Sequence, residues 1–189
     1  MSVSRFTVPG YSTRRDFAVY VVVARKRRAS EFYVYVGKTG DNRDGCNPVI
    51  SRAGNHFSHN DVHSQVRNKL PLSPDAYDFE YFYVTFGSYN GSAVKRRAKV
   101  NVVNEMERAT NQALRDLLSE PMRARLLNEY KGTGYVGSAK RLSRTALRTS
   151  VRMKEVNSLS RAVMKYLVSF APSAAKPALK RTRKKPRAS

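Results

Sequence analysis

Two β-forming runs separated by six residues restrict how this chain can fold more than any other feature. Residues 17–24 read Phe-Ala-Val-Tyr-Val-Val-Val-Ala and residues 31–36 read Glu-Phe-Tyr-Val-Tyr-Val. β-branched and aromatic side chains lose rotamer freedom in a helix and pack well on a pleated surface, so both runs are expected to be strands. The link from Arg25 to Ser30 is short and polar. A parallel crossover needs a dozen residues or more, so the simplest connection is an antiparallel hairpin. A third strand is expected over Asp78 to Phe86, where Tyr81, Tyr83 and Thr85 alternate with Phe82, Val84 and Phe86 and Gly87 closes the run. The expected fold class is α/β, with a small three-stranded antiparallel sheet flanked by helices.

Helices account for the rest of the pattern. Pro48 to Phe57 and Val62 to Lys69 read as short helices, bounded by Gly54 and by the turn from Pro71 to Pro74. Ala93 to Leu118 is the longest helical stretch, and it puts Val100, Val103, Met106, Ala109, Ala113 and Leu117 on one apolar stripe. Pro121 can open another short helix through Tyr130, after which Gly132, Gly134 and Gly137 mark a boundary. Beyond it, Ser143 to Met153 and Ser158 to Phe170 read as basic amphipathic helices, with Pro172 ending the second. The resulting division is an N-terminal arm (1–16), a globular domain (17–130), a basic helical extension (131–172) and a basic tail (173–189).

Charge narrows the class of partner. The chain has 36 Lys and Arg against 14 Asp and Glu, a formal net charge of +22, more than solubility requires. The excess is uneven: residues 1–129 hold 20 basic and 13 acidic side chains, whereas residues 130–189 hold 16 basic and a single acid, Glu155. Lys and Arg displace counterions from a phosphate backbone, while carboxylates serve metals and proton transfer. The distribution therefore suggests chemistry in the first part and grip on a polyanion in the second. A single cysteine, Cys46, excludes an intramolecular disulfide framework and a multi-cysteine zinc ribbon. His59 and His63 are one helical turn apart but lack the second ligand pair of a recognised zinc site. No apolar window is long enough for a membrane span, and a cytoplasmic protein is expected.

The two strands also carry a motif. Ala18-Val19-Tyr20 and Tyr35-Val36-Gly37, the latter followed by Lys38-Thr39, resemble the paired motifs of the GIY-YIG nuclease family, without the first motif's glycine. Arg52 and His56 resemble that family's arginine and histidine on one helix. Glu107, in Glu105-Met106-Glu107-Arg108, stands where the family carries a metal-binding glutamate, with Glu105 as the alternative, and Leu126-Leu127-Asn128 is similar to its closing asparagine motif. The resemblance covers roughly residues 17–130. It implies a metal-dependent endonuclease that hydrolyses phosphodiester bonds in double-stranded DNA with one Mg²⁺ or Mn²⁺ ion. By that resemblance Tyr20 would be general base or water positioner and Tyr35 would orient water or phosphate. Arg52 would clamp the phosphate, while Lys38 or His56 would assist Tyr20 and Asn128 would complete the site. Homing, restriction and phage-type attack on foreign DNA are all compatible with it.

Outside the motif, Lys140, Arg141, Arg144, Arg148 and Arg152 recur at three-to-four spacing, which on one helix would form a cationic ridge for DNA. Lys180, Arg181, Arg183, Lys184 and Lys185 would add a second, tail-borne set of phosphate contacts. The reading from a different class is a catalytically silent basic nucleic-acid-binding protein, in which the tyrosines merely pack. The two part on convergence: a nuclease requires Tyr20, Tyr35, Arg52, His56 and one glutamate to surround one cleft.

Overall fold

A computed structural model of the chain describes residues 5–40, 46–60, 62–118, 124–129 and 137–170. Strands β1 (Asp16–Lys26), β2 (Phe32–Lys38), β3 (Tyr77–Ser88) and β4 (Ala124–Leu126) form one mixed sheet in the order β3-β1-β2-β4. β1 pairs antiparallel with β2, Tyr20 opposite Gly37 and Val22 opposite Tyr35, and antiparallel with β3, Tyr20 opposite Tyr83. Helices α1 (Val49–Asn55), α2 (Ala93–Leu117), α3 (Ser138–Thr145) and α4 (Ser150–Ser169) complete the fold, with a 3-10 turn at Gly10–Thr13 before β1.

Alternation along β1 assigns its side chains to two faces. Val19, Val21 and Val23 join Val34 and Val36 against Val102, Met106, Ala109 and Leu114 of α2 and Val156, Leu159, Val163 and Leu167 of α4. On the other face, Tyr20, Val22, Tyr33, Tyr35 and Tyr77 pack with Val49 of α1 and with Val66 and Leu70 of the segment that follows it. β1 is covered on both sides, so it reads as a continuous apolar run rather than an alternating one.

The sheet differs from the sequence-based expectation of three antiparallel strands: among the described residues it has four, and β4 runs parallel to β2. The helix expected over Pro121 to Tyr130 is replaced, within its described part, by β4. The free edge of β2 supplies the reason. Leu127 N–H donates to Val34 O at 2.7 Å, and Leu126 and Leu127 each join the core of one face. Pairing and two-sided burial override local helix preference. The expected helix over Val62 to Lys69 is reduced to a 3-10 turn at Arg67–Lys69.

The basic helix expected over Ser143 to Met153 is interrupted between α3 and α4, where Thr149 caps α4 by accepting from Arg152 N–H. The stripe on α2 is core through Val100, Val103, Met106 and Ala109, but Ala113 is only partly buried and Leu117 is exposed, and Leu114, outside the stripe, is buried instead. α4 is no appendage: its apolar face closes the core over α2 and β3. The boundary glycines Gly132 and Gly134 and the tail 173–189 lie outside the described residues.

Candidate active site

Three segments bring their polar side chains to one place on the tyrosine-bearing face. Tyr20 (β1) lies with its hydroxyl 2.7 Å from His56 Nε2, the residue that ends α1. Tyr35 (β2) sets its ring edge-on to the same imidazole, centroids 4.9 Å apart. Arg52, one helical turn before His56, donates to the Tyr20 hydroxyl and bears positive charge toward it. Glu107, from α2, is the carboxylate whose charge reaches Tyr20. Tyr20, Tyr35, Arg52 and His56 therefore converge, and Glu107 acts on them through its charge.

Burial sets the protonation states. Tyr20 and His56 are both essentially inaccessible. Desolvation, then the Tyr35 phenol, and beyond them Glu107 push the Tyr20 phenol well above its ordinary value, and Arg52 only partly opposes them. Desolvation and the Arg52 charge lower the His56 pKa to about 4. Near neutral pH the pair is thus a neutral phenol beside a neutral imidazole. His56 Nδ1 is buried without a hydrogen-bond partner among the described residues, which leaves the imidazole one nitrogen to spare.

The glycine after Tyr35 has a steric cause. Gly37 faces Tyr20 across the β1–β2 ladder, and a Cβ added there would overlap the phenol ring. Thr39 then fixes the start of β1: its Oγ1 accepts from Ala18 N–H at 2.8 Å and donates to Asp16 O at 2.5 Å. Gly40 follows with φ of +85°, where a side chain would also strike Phe17. The Gly-Lys-Thr-Gly run is thus a close approach and a tight exit.

Lys38 is placed differently from the expectation. In register with Val19, it belongs to the sheet face that carries α2, while Tyr20 belongs to the other. The cation that meets Tyr20 is Arg52. Asn128 fastens the site rather than facing it: its Oδ1 accepts from Val36 N–H at 3.0 Å and its Nδ2 donates to Val36 O at 2.6 Å. Both ends of its amide thereby continue the β4 pairing, holding the peptide between Tyr35 and Gly37. Asn111, one turn beyond Glu107 on α2, donates to Asn128 O at 2.7 Å.

Glu105, the alternative metal ligand, is committed elsewhere. Two residues from Glu107 and so on another side of α2, it is buried and accepts from Arg108 Nη2 at 2.5 Å and Arg148 Nε at 2.6 Å. This network removes Arg148 from the expected DNA-binding ridge. Arg144 donates to Asn101 Oδ1 at 2.8 Å and Arg152 to Leu147 O at 3.0 Å, so these two also serve internal contacts. With the helix interrupted as well, the five cations form no single ridge. Lys140 is exposed and Arg141 half-buried. Lys180, Arg181, Arg183, Lys184 and Lys185 lie outside the described residues.

Sequence reasoning did not select Lys69, Asn111 or Tyr83. Lys69 Nζ lies 5.8 Å from the Tyr35 ring centroid, and partial burial lowers its pKa. Nothing in its local pattern signals that position. Tyr83 could have been found from register, because it stands opposite Tyr20.

One carboxylate, Glu107, bears on the Tyr20 site through its charge. Mg²⁺ keeps most of its own water, takes one or two carboxylates from a protein and completes its shell with substrate phosphate, and Glu107 could supply that carboxylate. Zinc needs three or four nitrogen or sulfur ligands, and among the described residues no three His, Cys, Asp or Glu side chains come together. His59 and His63 are exposed. No helix among the described residues is long and apolar enough to cross a membrane. No protein family, curated protein or solved structure compared with the chain matches it.

Proposed function

We propose that this protein is a metal-dependent DNA endonuclease of the kind that its Tyr-Val-Gly and Ala-Val-Tyr strands resemble, the GIY-YIG nucleases. The observation that carries the reading is the convergence of two tyrosines, an arginine and a histidine, from β1, β2 and α1, around the Tyr20 hydroxyl, with the Glu107 charge acting on it from α2. These residue types are what phosphodiester hydrolysis needs: a proton acceptor for water, a cation for the phosphate and a carboxylate for a divalent ion.

The protonation states suggest how the chain's own groups divide the work. A phenol held above its ordinary pKa does not act well as a free tyrosinate. It can take a proton from water at Oη as it passes its own proton to His56 Nε2, remaining neutral throughout. The imidazole, neutral above about pH 4, is the acceptor at the end of that relay. Arg52 pairs with the scissile phosphate bidentately, and Tyr35 orients water or phosphate through its hydroxyl. Glu107 would hold one Mg²⁺ or Mn²⁺ ion, which when bound polarises the phosphate and stabilises charge on the leaving oxygen. The large positive charge supports double-stranded DNA as the polyanion. A second reading, a silent nucleic-acid-binding protein, draws on the complete burial of Tyr20.

Supercoiled plasmid incubated with the protein and Mg²⁺ decides between them. Nicking or linearisation that EDTA abolishes is expected, and the Arg52→Ala and Glu107→Ala proteins should lose about 10²–10³ in rate while still binding the plasmid. Tight binding by the wild-type chain without cleavage, on plasmid and on pooled genomic DNA alike, would replace the nuclease with the silent binder.

A further inference from the structure

A cleft of about 700 Å³ opens at the β3 edge of the sheet, lined by Tyr11, Arg14, Asp16, Tyr81, Tyr83 and Glu155 among others. Its composition differs from the site around Tyr20. The Tyr81 and Tyr83 hydroxyl oxygens are buried and have no hydrogen-bond partner among the described residues, a costly arrangement for groups that water or a partner normally satisfies. Tyr11, on the 3-10 turn at Gly10–Thr13, is 60% exposed, its ring centroid 6.2 Å from that of Tyr83. The cleft thus offers an open aromatic face, two unsatisfied hydroxyls, one guanidinium and two carboxylates.

That set selects a ligand class. A phosphate would meet two carboxylates against one guanidinium and be repelled. A planar nucleobase can stack on Tyr11 and use the hydroxyls along its edge. An exocyclic amino group is what a carboxylate accepts from, as in contacts to cytosine N4. The volume falls within the range of small-molecule sites and exceeds what one base needs. Position adds to this: Tyr83 is the cross-strand partner of Tyr20, and the Gly10–Thr13 turn packs against α1, the helix that bears Arg52.

We infer that the cleft at the β3 edge binds an unstacked, amino-bearing nucleobase, with Tyr11 as stacking platform, the Tyr81 and Tyr83 hydroxyls on the base edge and Glu155 or Asp16 accepting from the amino group. Its use, to hold the nucleotide next to the scissile phosphate, rests on the nuclease reading. Base selectivity does not.

The test compares the full chain's affinity for a 12-residue oligodeoxycytidine and a 12-residue oligodeoxythymidine in EDTA. Both are single-stranded pyrimidine polymers of equal charge, and thymine lacks the amino group. The wild-type protein should favour oligodeoxycytidine by about tenfold, the low end of base discrimination by one contact. The Glu155→Gln and Tyr83→Phe proteins, checked for unchanged melting temperature, should bring the two affinities together, and Tyr11→Ala should weaken both by about tenfold. Equal affinities in the wild-type chain, or a preference that persists in both conservative variants, would overturn the inference. Plasmid cleavage on the same preparations reports separately on the nuclease reading: selectivity without cleavage would leave the pocket and remove the enzyme, and cleavage without selectivity the reverse.

Discussion

The two faces of the sheet share strands, but alternate residues have given them opposite chemistry. Toward α2 and α4, β1 presents Val19, Val21 and Val23, β2 presents Val34 and Val36, and the helices answer with Met106, Leu114, Val156, Val163 and Leu167. Toward α1, the same strands present Tyr20, Tyr33 and Tyr35, and the answering group at the centre is a buried histidine. The first face is held by dispersion and apolar burial, which are non-directional and tolerate exchange of similar volumes. The second depends on directed contacts between groups whose desolvation is costly, and it leaves His56 Nδ1 and the Tyr81 and Tyr83 hydroxyls unsatisfied among the described residues. Apolar packing is concentrated on one side, and buried polar groups on the other.

Substitutions on each face should separate those roles. The largest effect on stability is expected from Leu114→Ala, which empties a fully buried position between α2 and the sheet. It should cost about 2–5 kcal/mol in urea unfolding, with plasmid cleavage per folded molecule unchanged. A matching fall in cleavage would mean that the apolar face also sets the geometry around Tyr20.

Next comes His56. Its folded pKa of about 4 lies below the ordinary 6.5, so between those values the folded state binds fewer protons than the unfolded one. Its contribution is therefore complete above pH 6.5 and is lost as pH falls through 4, at most about 3 kcal/mol in all. Melting curves from pH 7 to pH 4 should fall less steeply for the His56→Gln protein than for the wild type. Parallel curves would show that burial does not hold this imidazole neutral.

Gly37→Ala should cost least, about 1–3 kcal/mol for overpacking, because the added methyl displaces the Tyr20 ring. Cleavage should nevertheless fall far more than for Val36→Ala, the neighbouring residue on the apolar side. Equal losses from the two would contradict a division of labour between faces.

Much of this arrangement is legible in the chain. The β-branched and aromatic runs at 17–24 and 31–36 form the hairpin, because strand preference and a short polar link leave little else possible. The stripe on residues 93–117 forms the long helix because its period of 3.6 needs no tertiary information. Tyr20, Tyr35, Arg52 and His56, grouped by their order in the chain, are neighbours in the structure. The structure alone turned Ala124 to Leu126 into a strand, since three residues of weak preference take the conformation that the open edge of β2 demands. It also divided the glutamates, committing Glu105 to Arg108 and Arg148 and leaving Glu107 as the one whose charge acts on Tyr20. It drew Arg144, Arg148 and Arg152 into contacts within the domain, and it put Lys38 on the α2 side of the sheet and Arg52 against Tyr20. Local sequence fixes backbone periodicity, and hence which residues share a face. The partner that a charged side chain meets depends on segments far away in the chain, and only packing brings those segments together.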